Sequence, residues 1–269
     1  MQWKRIFKSK GLYISFFLQL FALLYPHLGP AGYDIISYFR FGGENVFYYF
    51  QTSLIQGFEL SSLFLPFIAL LPAATLAAED FSTGFIRQLL NRKGKSSYIR
   101  TRSLQASGAA SLASAAAMIL YLLFLLLVSP LEDLSPGSSR TFMIPHPTFG
   151  FLAKPLYGLP FIGELIVRTV FSAIIWSLVA LAIGVLSKNT GITIALTFAL
   201  HLSLVFFLEG ALLGDTQAYS WSPRFLQLTN FDSTSPLSLW HFYAKLGVYF
   251  LLASGFSTIA LHTQLKQIQ

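Results

Sequence analysis

Six long apolar runs constrain this fold more than any other feature of the chain. They cover residues 11–28, 60–78, 104–128, 161–186, 191–208 and 242–261. A helix rises about 1.5 Å per residue, so even the shorter runs reach about 27 Å, close to the hydrocarbon thickness of a bilayer. Lipid offers the backbone no hydrogen-bond partners, and the short alternating strands of a barrel are not seen. The sequence therefore predicts an all-α integral membrane protein with six transmembrane helices, forming one membrane domain over residues 1–269.

Composition agrees with the apolar runs and excludes several classes of function. Hydrophobic residues make up 54% of the chain and charged residues 11%, against about one quarter charged in an average soluble domain. The net charge of +7 lies beside the apolar runs, where lipid head groups account for it better than nucleic acid does. The chain has no Cys, which excludes disulfides, thiolate metal sites and a thiol nucleophile.

The distribution of basic residues predicts the orientation of the helices. Twelve of the eighteen Lys and Arg residues lie in four segments: residues 1–10, 79–103, 187–190 and the tail. The three remaining connections hold only four, so the positive-inside rule puts both termini in the cytoplasm. The first run is too long for a signal-peptide core and no cleavage site follows it closely, so we expect a retained first span. Residues 1–10 are predicted to form a basic interfacial helix.

Two of the outside connections have distinctive compositions. Residues 29–59 contain the aromatic stretch "YDIISYFRFGGENVFYYFQ", which suits an interfacial belt or a helix along the membrane surface. Residues 209–241 mix apolar stretches with Gly and Pro breaks, which fits a re-entrant excursion or an ordered loop equally well.

The segment between the second and third runs has the pattern of an amphipathic helix. Phe81, Phe85 and Leu89 recur every four residues with Ile86 and Leu90 beside them. Asp80, Ser82 and Thr83 are predicted to cap the start of this helix, and Gly94 to end it. Positive charge alone indicates only an anchor at the cytoplasmic surface. The apolar face, however, requires a partner.

The order of features in this segment resembles the cytoplasmic loop of type-two ABC exporter permeases. These features are a second span ending in Glu79, then Gly84, the paired Leu89 and Leu90, Arg92, Tyr98, Arg100 and Arg102. Six spans, a basic N-terminal helix, the tight "SKNTG" turn and a broken segment before the last span extend the resemblance over nearly the whole chain. Where the family often has a Pro-Ser-Arg step, this chain has "NRKGKSS".

The resemblance implies a coupling helix that docks on a separate ATP-binding subunit. The implied contact and hinge positions are Glu79, Asp80, Phe81, Gly84, Phe85, Arg87, Leu89, Leu90 and Arg92. It also implies two ATP-binding subunits, a second permease half as homodimer or heterodimer, and alternating access. The expected substrate is amphipathic or hydrophobic: a lipid, a lipid-linked molecule, or, as the first expectation, an antimicrobial peptide exported for self-protection. The implied location is the bacterial cytoplasmic membrane.

ATP and Mg are expected on the partner, and no cofactor on this chain. The "GKSS" at residues 94–97 lacks the earlier Gly of a phosphate-binding loop, since that position is Leu89. The five His residues show no metalloprotease spacing, and no nucleophile turn is present. A polytopic membrane enzyme acting on a lipid or lipid-linked substrate remains the alternative, because some such sites carry few sequence marks.

Charged and polar residues inside the spans are candidate functional groups because they are costly there. Glu164 and Arg168 lie four apart, a spacing that permits an ion pair. We favour a structural pair or an outward-reaching Arg over a substrate or proton role. His201 lies in the middle of the fifth run and is a candidate cavity residue. Small residues at 106, 110, 113 and 117 predict close packing within one subunit in preference to a dimer seam.

Overall fold

The structure is a computed structural model that describes residues 6–7, 9–28, 39, 46, 49–50, 53, 68–71, 74–129, 159–210, 221 and 236–267. Within these residues all regular structure is helical. The α-helices, numbered here in chain order, are α1 (Lys10–Leu24), α2 (Ala74–Ser82), α3 (Phe85–Lys93), α4 (Lys95–Val128), α5 (Leu159–Ser187), α6 (Thr190–Gly210) and α7 (Pro236–Lys266).

Four helices of the described part are long and apolar enough to cross a membrane. They are Lys95–Val128, Ile162–Ser187, Thr190–Leu208 and Trp240–Gln267, and they match the third to sixth predicted spans. Large apolar side chains stand on their outer surfaces, among them Leu127 at 86%, Phe206 at 70% and Leu251 at 69% exposed. Water would not solvate such a surface favourably, whereas lipid would. The protein is therefore a helical membrane protein.

The first two predicted spans are only partly seen. Helix α1 ends at Leu24 and a short 3-10 turn, Tyr25–His27, follows it, because Pro26 has no N–H to continue the α-helical ladder. The α-helix in the first span is thus shorter than predicted. Of the second span, residues 68–71 and 74–78 are described, and α2 extends it to Ser82. Residues 1–5, 60–67 and 72–73, and nearly all of residues 29–59 and 211–235, lie outside the described residues.

Helix α5 is the central helix of the bundle and packs against α2, α4, α6 and α7. In its most apolar stretch 72% of the residues are buried, against 22% in α6. Ala173, Ser177 and Ala180 are fully buried on α5, and small residues let membrane helices approach closely. The hydroxyl of Ser177 donates to the Ile174 carbonyl at 2.8 Å, so its burial leaves that hydroxyl proton satisfied.

The small residues of α4 are buried inside the subunit. Ala106, Ala110, Ala113 and Ala117 are at most 2% exposed, and both α1 and α5 pack against α4. The prediction of close packing within one subunit is confirmed for this stripe.

The apolar core separates into clusters at the two ends of the bundle. One cluster joins Ile6, Leu89 of α3, Val185 near the end of α5 and Leu265 near the end of α7. We call this the basic end, because the four segments that together hold twelve of the eighteen Lys and Arg residues meet or adjoin it. A second cluster joins the other ends of α1, α4 and α5 through Leu23, Leu125 and Ile162. The helices therefore alternate in direction. The packing brings together the same segments that the count of basic residues placed on one side of the membrane.

Candidate functional site

Helix α3 lies at the basic end and is connected to its neighbours through two glycines. Gly84 has φ 70° and ψ 4°, and Gly94 has φ 72° and ψ 162°. The Gly94 N–H donates to the Leu90 carbonyl at 2.9 Å, so the prediction that Gly94 ends the helix is confirmed. The short amphipathic helix α3 is thus joined to α2 and to α4 through two residues whose backbone conformations favour glycine.

The predicted capping of this helix is wrong. Asp80 and Ser82 lie inside α2, which continues the second span, and the new helix starts only after Gly84. The hydroxyls of Ser82 and Thr83 donate to the Glu79 carbonyl at 3.1 and 2.7 Å. These two hydroxyls therefore satisfy a carbonyl at the carboxyl end of α2 and do not cap α3, because the left-handed turn at Gly84 separates the two helices there.

The two glycines differ in how strictly they require glycine, and this can be tested. At both positions the space that a Cβ would occupy has no atom within 4 Å, so a substitution is judged by backbone strain alone. Gly84→Asn is expected to be tolerated, since Asn adopts the left-handed region readily. Gly94→Asn is expected to cost about 1–3 kcal/mol, because its φ and ψ lie in a region that is essentially restricted to glycine. Thermal unfolding of the purified variants in detergent measures both, and equal losses would contradict the difference.

The apolar face of α3 packs against the chain's own helices. Ile86 and Leu89 are 2% and 8% exposed, Phe81 at the end of α2 is 9% exposed, and Leu90 packs half-buried beside them. Their neighbours in the same cluster come from α1, α4, α5 and α7: Leu12, Tyr98, Ala106, Ala109, Leu181, Val185, Leu261 and Leu265. The partner that the sequence pattern requires for Ile86 and Leu89 is therefore the bundle itself.

The opposite face of α3 is exposed and polar. Arg87, Gln88 and Asn91 are exposed. Phe85, which the sequence pattern placed on the apolar face, is 40% exposed at the start of α3. Among the positions implied by the family resemblance, Glu79, Gly84, Phe85 and Arg87 are accessible, whereas Asp80, Phe81 and Leu89 are buried. Arg92 belongs to α3, but its side chain lies outside the described residues.

Asp80 forms a buried polar network with the first turns of α4, which the sequence reasoning missed. Asp80 is 0% and Arg102 4% exposed, and the Arg102 guanidinium pairs with Asp80 Oδ2. The Tyr98 hydroxyl donates to the same oxygen at 3.2 Å. Arg102 Nη1 also donates to Gln105 Oε1 at 2.8 Å. The sequence held one signal for this network: an acidic residue at the end of one apolar run and a basic residue at the start of the next.

Glu164 and Arg168 form the ion pair that their spacing permits. Arg168 is fully buried, and its Nε donates to Glu164 Oε1 at 3.0 Å. The Tyr243 hydroxyl of α7 donates to the same oxygen at 3.1 Å, and Arg168 lies over the Phe242 ring at 4.3 Å. The pair therefore ties α5 to α7, and the alternative of an arginine reaching outward does not apply.

His201 lies between helices instead of on the lipid-facing surface. It is 1% exposed, and its ring meets the Trp176 ring of α5 edge-on with 4.7 Å between centroids. Thr197 and Thr193, one and two turns earlier, are fully buried on the same side of α6. The Thr193 hydroxyl lies 3.0 Å from the Ser187 hydroxyl, so this polar side of α6 connects it to α5.

A second polar network at the other end of the bundle also escaped the sequence reasoning. His27 Nε2 lies 2.8 Å from Ser53 Oγ, and the same hydroxyl contacts the Tyr121 hydroxyl. Ser53 is fully buried and donates to the Tyr49 carbonyl at 2.7 Å. A serine hydroxyl within a helix commonly donates in this way to the carbonyl four residues earlier. The network therefore links the connection after α1 to α4.

In the part of the chain that the structure describes, no group of three or more His, Cys, Asp or Glu side chains is placed to hold a metal ion. Comparison of the sequence and structure with known protein families, with curated proteins and with solved structures finds no match.

Proposed function

We propose that this chain is the membrane-spanning permease subunit of an ABC exporter. In this proposal it crosses the bacterial cytoplasmic membrane six times, with both termini and α3 in the cytoplasm. It pairs with a second permease half and works with two ATP-binding subunits, which hold ATP and Mg. Its substrate is amphipathic or hydrophobic, with an antimicrobial peptide as the first choice and a lipid or lipid-linked molecule next.

The observation that carries the proposal is the position of α3. It is a short helix at the basic end, anchored through Ile86 and Leu89 to helices that continue into the membrane. Its other face presents Arg87 and Gln88 outward. A helix with one face in the bundle and the other free is suited to receive a force from a soluble partner and pass it to the membrane helices.

The docking surface in this proposal is the exposed face of α3. Phe85 and Arg87 supply an aromatic ring and a guanidinium, the residue types enriched at the centres of protein interfaces. Glu79 stands exposed at the end of α2 nearby in sequence. The buried Asp80 and Leu89 then act by holding the surface in place.

The proposed mechanism is alternating access between two permease halves. Closure of the ATP-binding subunits displaces α3, and the displacement reaches α2 and α4 because α3 is connected to both. A rigid-body shift of these helices against α5 switches the access of the substrate path. Among the described residues, Glu164 and Arg168 neutralise each other inside the bundle, which supports recognition by apolar contacts more than by charge.

Purification of the tagged chain from its native host tests the proposal. An ATP-binding subunit is expected to copurify, and the complex is expected to hydrolyse ATP in a vanadate-sensitive manner. Recovery of the chain alone, with activity on a lipid substrate and no ATPase, would overturn the transporter proposal and favour the membrane enzyme.

A charge reversal on α3 tests the docking surface. Arg87→Glu is expected to abolish copurification of the ATPase while the protein still folds, because Arg87 is exposed. Lys266→Glu is the matched control, since Lys266 is also exposed and basic and lies at the same end. Substitution of Leu89 by Asp is a poorer test, because a charge in the buried cluster would also disturb packing. Equal ATPase recovery with Arg87→Glu and Lys266→Glu would exclude the exposed face of α3.

A further inference from the structure

The buried network of Asp80, Tyr98 and Arg102 joins the two helices that flank α3. It connects the last turn of α2 to the first turns of α4, bypassing α3. The Arg102 guanidinium also lies 5.6 Å from the centre of the Tyr98 ring, and Gln105 accepts a further hydrogen bond from it. Every member is at most 4% exposed.

A buried ion pair is a costly way to hold two helices together. Desolvation of the two charges offsets much of their attraction, and apolar side chains of similar size are often as stabilising. The surrounding contacts among Ile86, Leu89 and Ala106 are apolar, and apolar contacts have no preferred direction. Hydrogen bonds are directional, so what the network adds is one register and one rotation of α2 against α4.

The glycines at the two ends of α3 make such a connection necessary. Gly84 and Gly94 have positive φ and no atoms within 4 Å of a Cβ position, so steric contact does little to stiffen either joint. If the joints were the sole connection, a displacement of α3 would be absorbed there. With α2 and α4 held together, the displacement moves both helices.

We propose that Asp80, Tyr98 and Arg102 form a clamp that makes the cytoplasmic ends of α2 and α4 move as one body. These are positioning residues, which act through the helices that they hold. The part of this inference that concerns transport rests on the proposed function above. The part that concerns the clamp does not, because it can be measured in the isolated chain.

Distance measurements between spin labels test the clamp directly. The chain has no Cys, so cysteines introduced by Ser82→Cys and Ser97→Cys, both at exposed positions on either side of the clamp, can be labelled specifically. The test variant is the double substitution Asp80→Leu with Arg102→Met. It replaces the ion pair with apolar side chains that still fill the site, so the variant is expected to fold. Tyr98→Phe is the milder variant that removes one hydroxyl.

The expected result is loss of the single narrow distance between positions 82 and 97 in the double variant, and partial broadening in Tyr98→Phe. A control pair at Ile192→Cys and Thr263→Cys, exposed on α6 and α7, is expected to keep its distance. An unchanged distribution between 82 and 97 in a folded double variant would overturn the clamp, whether or not an ATPase partner exists.

The complex with the ATP-binding subunit tests the transport part. In the double variant, ATP hydrolysis is expected to continue while the amount of substrate exported per ATP falls, a change that a loss of stability alone would not produce. Export per ATP equal to that of the unaltered protein, together with a broadened 82–97 distance, would overturn the coupling role. Absence of any ATPase would instead count against the proposed function, with the clamp still judged by the distances.

Discussion

Glu164→Leu is expected to destabilise the folded protein by about 3–5 kcal/mol, the usual cost of removing one partner from a buried ion pair. The substitution removes the carboxylate that accepts a hydrogen bond from Nε of the fully buried Arg168. It also removes the acceptor of the Tyr243 hydroxyl on α7. Titration of the purified protein with sodium dodecyl sulfate, followed by a spectroscopic signal of unfolding, measures the loss.

Two further variants distinguish the charge effect from packing. Arg168→Met is expected to cost less than Glu164→Leu, because it leaves a carboxylate that is 8% exposed and still accepts from the Tyr243 hydroxyl, whereas Glu164→Leu leaves a fully buried guanidinium. The double variant Glu164→Leu with Arg168→Met is expected to recover most of the stability, since apolar replacements of a buried pair are often neutral. A double variant that is as unstable as the two single losses added together would contradict this account.

Gly11→Ala is expected to destabilise the folded protein by about 1–3 kcal/mol, as for overpacked sites in general. A Cβ at position 11 would lie 2.1 Å from the Leu71 carbonyl oxygen and 2.9 Å from its carbonyl carbon. Both are backbone atoms and cannot rotate away, so α1 must move from the segment that precedes α2. The same unfolding titration in detergent measures the loss.

Gly247→Ala is the matched control for this prediction. Gly247 lies inside α7 and has no atom within 4 Å of its Cβ position, so alanine there is expected to be neutral or to stabilise by up to about 1 kcal/mol through its higher helix propensity. If both substitutions had the same effect, the close approach of Gly11 to Leu71 would not be a determinant of the fold.

Much of the secondary structure at the four long helices could be predicted, because the bilayer imposes both helix and length. The runs at 161–186 and 191–208 coincide closely with α5 and α6. The turn between them could also be predicted. In the structure Asn189 Oδ1 accepts from the Ile192 N–H at 3.1 Å, as the side chain of a residue before a helix commonly does. The start of α3 was not, because the same pattern of Phe81, Phe85 and Leu89 suits one continuous helix or two helices separated at Gly84.

The position of helix α3 along the chain was predicted, but the surface that covers its apolar face was not. Periodicity identified Ile86 and Leu89 as one apolar face. It did not identify the surface that covers them, since the cluster that they join also takes residues from α1, α5 and α7, which are distant in the chain. The exposed Arg87 and the buried Asp80 were therefore grouped together as contacts, although they have opposite environments.

The sequence by itself determined that this chain is a bundle of membrane-length helices and which of its connections share one end. These properties depend on side-chain polarity along the chain, which the bilayer sorts without reference to the fold. Only the tertiary structure decided which face of α3 is free and that Asp80 pairs with Arg102, 22 positions away. Such contacts depend on the rotation and register of whole helices against one another, and those are set by the packing of α4 and α5 at the centre of the bundle.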